Sequence, residues 1–102
     1  MTVEKIITND GAQLSITIDG KFDFSLHQSF REAYVNFQGK NVAINLDLSK
    51  TTYMDSSALG MILLLKDFAE KNANKVVIQK PNETVNKILE IAQFHRLLTI
   101  EA

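Results

Sequence analysis

Apolar and polar side chains alternate through NVAINLDLSK, where Val42, Ile44, Leu46 and Leu48 fall on one side of an extended chain. A period of two with Ala43 also apolar predicts an inner strand that ends near Asp47. Leu14, Ile16 and Ile18 of AQLSITIDG repeat the pattern, and Val3, Ile6 and Ile7 precede them across Asn9-Asp10-Gly11, so the first two strands read as a hairpin. NKVVIQ at 74–79 is a short β-rich run, and LLTIEA at the end is a final strand or a tail.

Helical spacing replaces alternation between these runs. Leu26, Phe30, Ala33 and Phe37 predict an amphipathic helix of roughly three turns, with Ser25 as its cap and Gly39 as a left-handed stop. A second helix covers 57–71, and Pro81 opens a third that carries Val85, Ile88, Leu89 and Ala92 at i, i+3, i+4 and i+7. The order strand, strand, helix, strand, helix, strand, helix and a last short strand predicts an α/β fold. Its sheet is mostly parallel, with right-handed crossovers and helices on its face.

A chain of 102 residues, 45% hydrophobic and 23% charged, is suited to one compact domain, here 1–102. Its net charge of −1 lacks the basic excess of nucleic-acid or anionic-membrane binders. The absence of cysteine excludes disulfides and thiolate chemistry, and two histidines do not make a histidine-rich metal site. MTVEKIITND has no secretory-signal pattern, and the apolar runs are far shorter than a membrane span. The expectation is a cytoplasmic protein with no cofactor, no nucleic acid and no membrane partner, monomeric when free.

The chemistry-bearing stretch is TTYMDSSALGMILLLKDF at 51–68. Asp55, Ser56 and Ser57 suit the start of a helix, where their oxygens accept from unpaired backbone N–H groups. The stretch also follows the C-terminal end of an inner strand, where α/β sheets place functional loops. A phosphate there adds about −1.5 to −2 charges beside the positive end of the helix dipole, tolerable inside the domain and disruptive at an interface. At ~100° per residue, Ala58, Met61, Ile62, Leu64, Leu65, Phe68 and Ala69 share one apolar arc. Leu59 and Leu63 fall outside it, and are covered by other parts of the fold, stand as isolated surface leucines, or form a docking patch.

MDSSALG, with INLDLSK before it, GKFDF upstream and PNETVNKILEIAQFHRLLTI after it, resembles a STAS domain of the bacterial anti-sigma factor antagonist type. The resemblance implies a single domain with a four- to five-stranded, mostly parallel or mixed sheet backed by helices, and no enzymatic activity. It implies phosphorylation of Ser56 by a serine kinase of the anti-sigma type and reversal by a PP2C-like phosphatase. It also implies that Asp23, Asp55 and Ser57 belong to the contact region, which the docking patch of Leu59 and Leu63 extends. Outputs of such modules include transcription, biofilm, motility and stress. Ala58 stands where the family has glycine. The residues alone do not separate the two hydroxyls.

The leading alternative is a constitutive STAS accessory or scaffold subunit of a transport or sensory complex. A serine hydrolase needs a base and a nucleophile elbow, but no glycine stands between Thr52 and Ser56, and His27 and His95 suit surface or helix-end roles. Asp23, Asp47 and Asp55 read as solvated loop acids more readily than as a hard-metal site, and no GxxxxGK[ST] loop is present.

Overall fold

The long second strand, β2, organises the sheet. In the computed structural model, which describes residues 2–8 and 13–101, β1 (Thr2–Thr8) runs antiparallel to β2 (Gln13–Phe22). The Asn9-Asp10-Gly11 turn assigned to this hairpin lies outside the described residues. The first half of β2 pairs in parallel with β3 (Ala43–Asp47), which pairs with β5 (Lys75–Gln79), and β5 with β6 (Thr99–Glu101). The second half of β2 pairs in parallel with β4 (Thr51–Met54). The result is a mixed six-stranded sheet of order β1-β2-β3-β5-β6 with β4 beside the end of β2, backed by α1 (His27–Tyr34), α2 (Ser56–Lys71) and α3 (Glu83–Ile91).

The alternating residues Leu14, Ile16, Ile18, Ile44, Leu46 and Leu48 are all fully buried, as one covered sheet face requires. Against them α2 lays Ala58, Met61, Ile62, Leu65 and Ala69, and α3 lays Val85 and Leu89. Phe22, Phe30, Tyr34 and Phe68 form a chain of rings with centroid separations of 5.2, 5.7 and 5.1 Å, tying the end of β2 through α1 to α2.

Several local expectations change. Strand β4 raises the count from the expected four or five, and it exists because β2 changes partner at Gly20, where φ is 95° and the register shifts. Buried Thr51 is held there by donating to Ile18 O at 2.8 Å, while Asn82 Nδ2 donates to Thr51 O at 2.7 Å. The first helix does not reach Phe37 and Ser25 does not cap it. A 3-10 turn at Phe24–Leu26, capped by Asp23, leads into α1, which ends at Tyr34, and Phe37 is buried beyond the helix. Gly39 is not the left-handed residue of the following loop; Asn41 is, with φ 60°. Asn74 fixes that loop, donating to Gly39 O and accepting from Val42 N. Pro81 does not open α3, because Asn82 caps it by accepting from Val85 N at 2.8 Å.

Gly60 lies exposed on α2, and a Cβ built there meets no atom within 4 Å. Gly60→Ala is therefore expected to stabilise the domain by ~0.5–1 kcal/mol through helix propensity. A urea midpoint that fails to rise would contradict the open environment assigned to this position.

Candidate functional site

Strands β2 and β4 end side by side, with Phe22 opposite Met54, and each is followed by an aspartate that starts a helical turn. Asp55 N donates to Phe22 O at 3.4 Å, extending the ladder by one residue and bringing Asp23 and Asp55 to the same corner of the sheet. Asp23 Oδ1 accepts from Ser25 N at 2.9 Å and from the Ser25 hydroxyl. Asp55 repeats this arrangement on the longer helix, where its Oδ1 accepts from Ser57 N at 3.0 Å, Ala58 N at 3.2 Å and Ser57 Oγ at 2.6 Å.

The cap is therefore Asp55, and the two serines differ. Ser57 is half-buried and its hydroxyl is committed to Asp55. Ser56, the first residue of α2, is exposed, and among the described residues its Oγ has no hydrogen-bond partner. The Ser57 hydroxyl, the N–H groups of Ala58 and Ser57 and the charge of Lys21 hold the Asp55 carboxyl below the ordinary aspartate range, against an opposing effect of burial. Ala58 is fully buried at the start of α2.

An apolar groove of about 280 Å³ opens beside Ser56, lined by Tyr53, Asp55, Leu59, Ile88 and Ile91 among others. Leu59 is not a free surface leucine; it is half-buried and packs against the core from the groove side. Leu63, a turn further along α2, is 37% exposed and stands outside this groove. Leu64 was expected on the buried arc but is 52% exposed, at a second groove between α1 and α2 with His27, Phe30 and Phe68. The apolar run of α2 exceeds what its buried face accommodates.

Sequence reasoning missed three exposed side chains at this corner. Ile91 is 77% exposed, Phe24 is 66% exposed and stacked on His27 at 4.9 Å between centroids, and Tyr53 carries Lys21 Nζ at 5.9 Å from its ring centroid. Ile91 had a signal, since it lies off the Val85-Ile88-Leu89-Ala92 stripe as Leu59 lies off that of α2. Tyr53 had none, because its neighbour Lys21 follows from strand pairing, and Phe24 lies in a 3-10 turn ahead of the helix that the spacing predicts.

Among the described residues no three of His, Asp and Glu gather as a metal site, and Asp47 instead accepts from Ser49 N at 2.9 Å. No hydrogen bond among them joins His27 or His95 to either serine; His95 is exposed in a 3-10 turn, Phe94–Arg96. No helix among them is long and apolar enough to cross a membrane.

A mixed sheet with an aspartate-capped helix starting at the end of a parallel strand pair defines the class, and the family comparison gives it a name. The STAS domain family matches residues 5–102, and the chain belongs to that family. It is 41% identical over 105 residues to a STAS-domain containing protein of Pseudomonas aeruginosa, covering 98% of this chain and 99% of that one. The fold is shared with the anti-sigma factor antagonist SpoIIAA in its unphosphorylated form, at TM-score 0.81 and 17% identity over 99% of this chain and 89% of that one. SpoIIAA of Bacillus in its phosphorylated form aligns at TM-score 0.69 and 15% identity, over 99% and 92% of the two chains. A sulfate transporter family protein from Wolinella succinogenes has the same fold, at TM-score 0.78 and 14% identity over 95% and 80%.

Proposed function

We propose that this domain is a phosphorylation-controlled protein-binding switch of the anti-sigma factor antagonist kind. In this reading the unmodified form binds a cognate serine kinase or anti-sigma-type regulator, phosphate on Ser56 turns that binding off, and a PP2C-like phosphatase restores it. The protein is then a cytoplasmic, non-enzymatic partner, monomeric when free. The observation that carries the reading is the free, exposed Ser56 hydroxyl at the start of α2 beside an apolar groove, next to a Ser57 hydroxyl already committed to Asp55.

A phosphate at this point is tolerated by the domain, because the N-terminal end of α2 favours negative charge. It is not tolerated by an apolar partner surface seated on Leu59 and Ile91, because the phosphate must then be desolvated or repelled. Asp23 reaches the same corner through the pairing of β2 with β4, and Leu63 extends the apolar surface along α2. SpoIIAA, of the same fold, has been solved both with and without phosphate.

The test is a pull-down with the parent, Ser56→Ala, Ser56→Asp and Ser57→Ala chains as baits, partners identified by mass spectrometry and affinities then measured. Ser56→Ala is expected to bind as the parent does, and Ser56→Asp at least about tenfold more weakly. Equal binding by all, with no phosphate on Ser56 in cells, would replace the switch with the scaffold reading. Ser57→Ala is expected to keep binding while losing about 1 kcal/mol of stability with its bond to Asp55.

A further inference from the structure

We propose that Lys21, held against the ring of Tyr53, is the intradomain receptor for a phosphoryl group on Ser56, drawing it across the mouth of the groove between α2 and α3. The inference rests on the phosphorylation of Ser56 proposed above and adds how the phosphate acts. It covers the groove from within the domain as well as bringing charge to it.

Strand register places the cation. β2 and β4 are in register at Gly20 and Thr51, then skip one residue of β4, so that Lys21 lies opposite Tyr53 and not opposite Thr52. Such irregularities re-aim a side chain, and directly paired residues share a sheet face. Lys21 Nζ accordingly lies 5.9 Å from the Tyr53 ring centroid, within cation–π range. Tyr53 and Ser56 line the same groove, and Asp55 stands between them in the chain.

Lys21 is also available. Among the described residues the ion pair formed is Lys66–Glu70, along α2, so Lys21 has no carboxylate at contact distance. Its charge nevertheless reaches Asp55, the residue before Ser56. The carboxylates Asp23 and Asp55 share this corner, and Lys50, whose carbonyl accepts from Gly20 N at 3.0 Å, precedes the other end of β4. α3 turns Ile88 and Ile91 to the groove, while its Glu83, Lys87 and Glu90 line a separate surface. A dianion on Ser56 is thus offered Lys21 as a cation that no carboxylate of the described residues pairs, and a charge-assisted N–H···O bond is a strong contact for it to gain.

The experiment needs no kinase. The full chain with phosphoserine installed at position 56 is titrated by ³¹P NMR around its ordinary second pKa, near about 6. Four backgrounds are compared at low salt: parent, Lys21→Gln, Lys21→Arg and Tyr53→Leu. Pairing with Lys21 favours the dianion, so the parent is expected to titrate about half a pH unit below Lys21→Gln. Lys21→Arg is expected to stay with the parent and Tyr53→Leu to fall between, the parent's offset fading at about 1 M salt. Phosphoserine titrating at the same pH in the parent and Lys21→Gln overturns the proposal and leaves the switch reading standing. A full offset together with partner binding that ignores the phosphate sinks the switch and leaves the Lys21 receptor in place.

Discussion

Phe22→Ala is expected to destabilise the domain by about 3–5 kcal/mol and to loosen the start of α2 along with the core. Phe22 is fully buried at the end of β2, tilted against Phe30 with ring centroids 5.2 Å apart. Truncation removes its burial, leaves a cavity under the site, and breaks the first link of the ring chain through Phe30 and Tyr34 to Phe68. It also frees the strand end whose carbonyl accepts from Asp55 N at 3.4 Å. Urea denaturation measures the global loss. Amide exchange at Ser57 and Ala58 measures the local one, because both N–H groups donate to Asp55. Phe22→Leu keeps the chain folded should alanine not, and it is expected to cost less while raising exchange at the same amides. Ile78→Ala in β5 is the control, destabilising by about 2–5 kcal/mol without singling those amides out. Equal local exchange in the Phe22 and Ile78 variants, once global stability is accounted for, would show that Phe22 holds the core but not the site.

How much of this was legible in the sequence depended on whether the cause was local. The buried faces of β2 and β3 were readable because Leu14-Ile16-Ile18 and Ile44-Leu46-Leu48 repeat at the strand period and become fully buried. β4 was not, because a four-residue TTYM run has no distinguishing period, and its buried Thr51 depends on a carbonyl of another strand, Ile18 O. A related reason puts a 3-10 turn and its Asp23 cap ahead of the Ser25 cap that the sequence predicts, and ends α1 before Phe37. β2 runs on to Phe22, so Asp23 and not Ser25 receives the chain as it turns, and Phe37 is buried by the fold after the helix has ended.

At the site, the spacing from Asp55 to Ala58 announced a capped helix, and the cap is there. Periodicity could not say which hydroxyl the cap uses, and this separates an occupied Ser57 from a free Ser56. The arc drawn over α2 was too wide, placing Leu64 inside when it stands at the lip of a groove, and too narrow at Leu59, which the core partly takes up. The Lys21–Tyr53 contact was invisible because it follows from a register shift between strands distant in sequence.

Asp55→Ala is expected to cost about 2 kcal/mol, the upper end for an N-cap, because one carboxylate oxygen serves Ser57 N, Ala58 N and Ser57 Oγ together. Asp55→Asn retains an acceptor and is expected to lose less, isolating the contribution of charge at the helix start. That contribution carries a pH signature. The Asp55 carboxyl is held below its ordinary range in the fold, first by the Ser57 hydroxyl and also by the two backbone N–H groups and Lys21. The unfolded chain therefore takes up the proton at a higher pH, near about 3.9, than the folded one does. The stabilisation is complete above that pH and is lost as pH falls through the lower folded value. Denaturation of the parent and Asp55→Asn at a series of pH values should give a constant gap near neutrality that narrows below about pH 4. A gap that persists unchanged into strong acid would mean that the carboxylate's charge contributes nothing to the cap, and that shape and hydrogen bonding alone start α2.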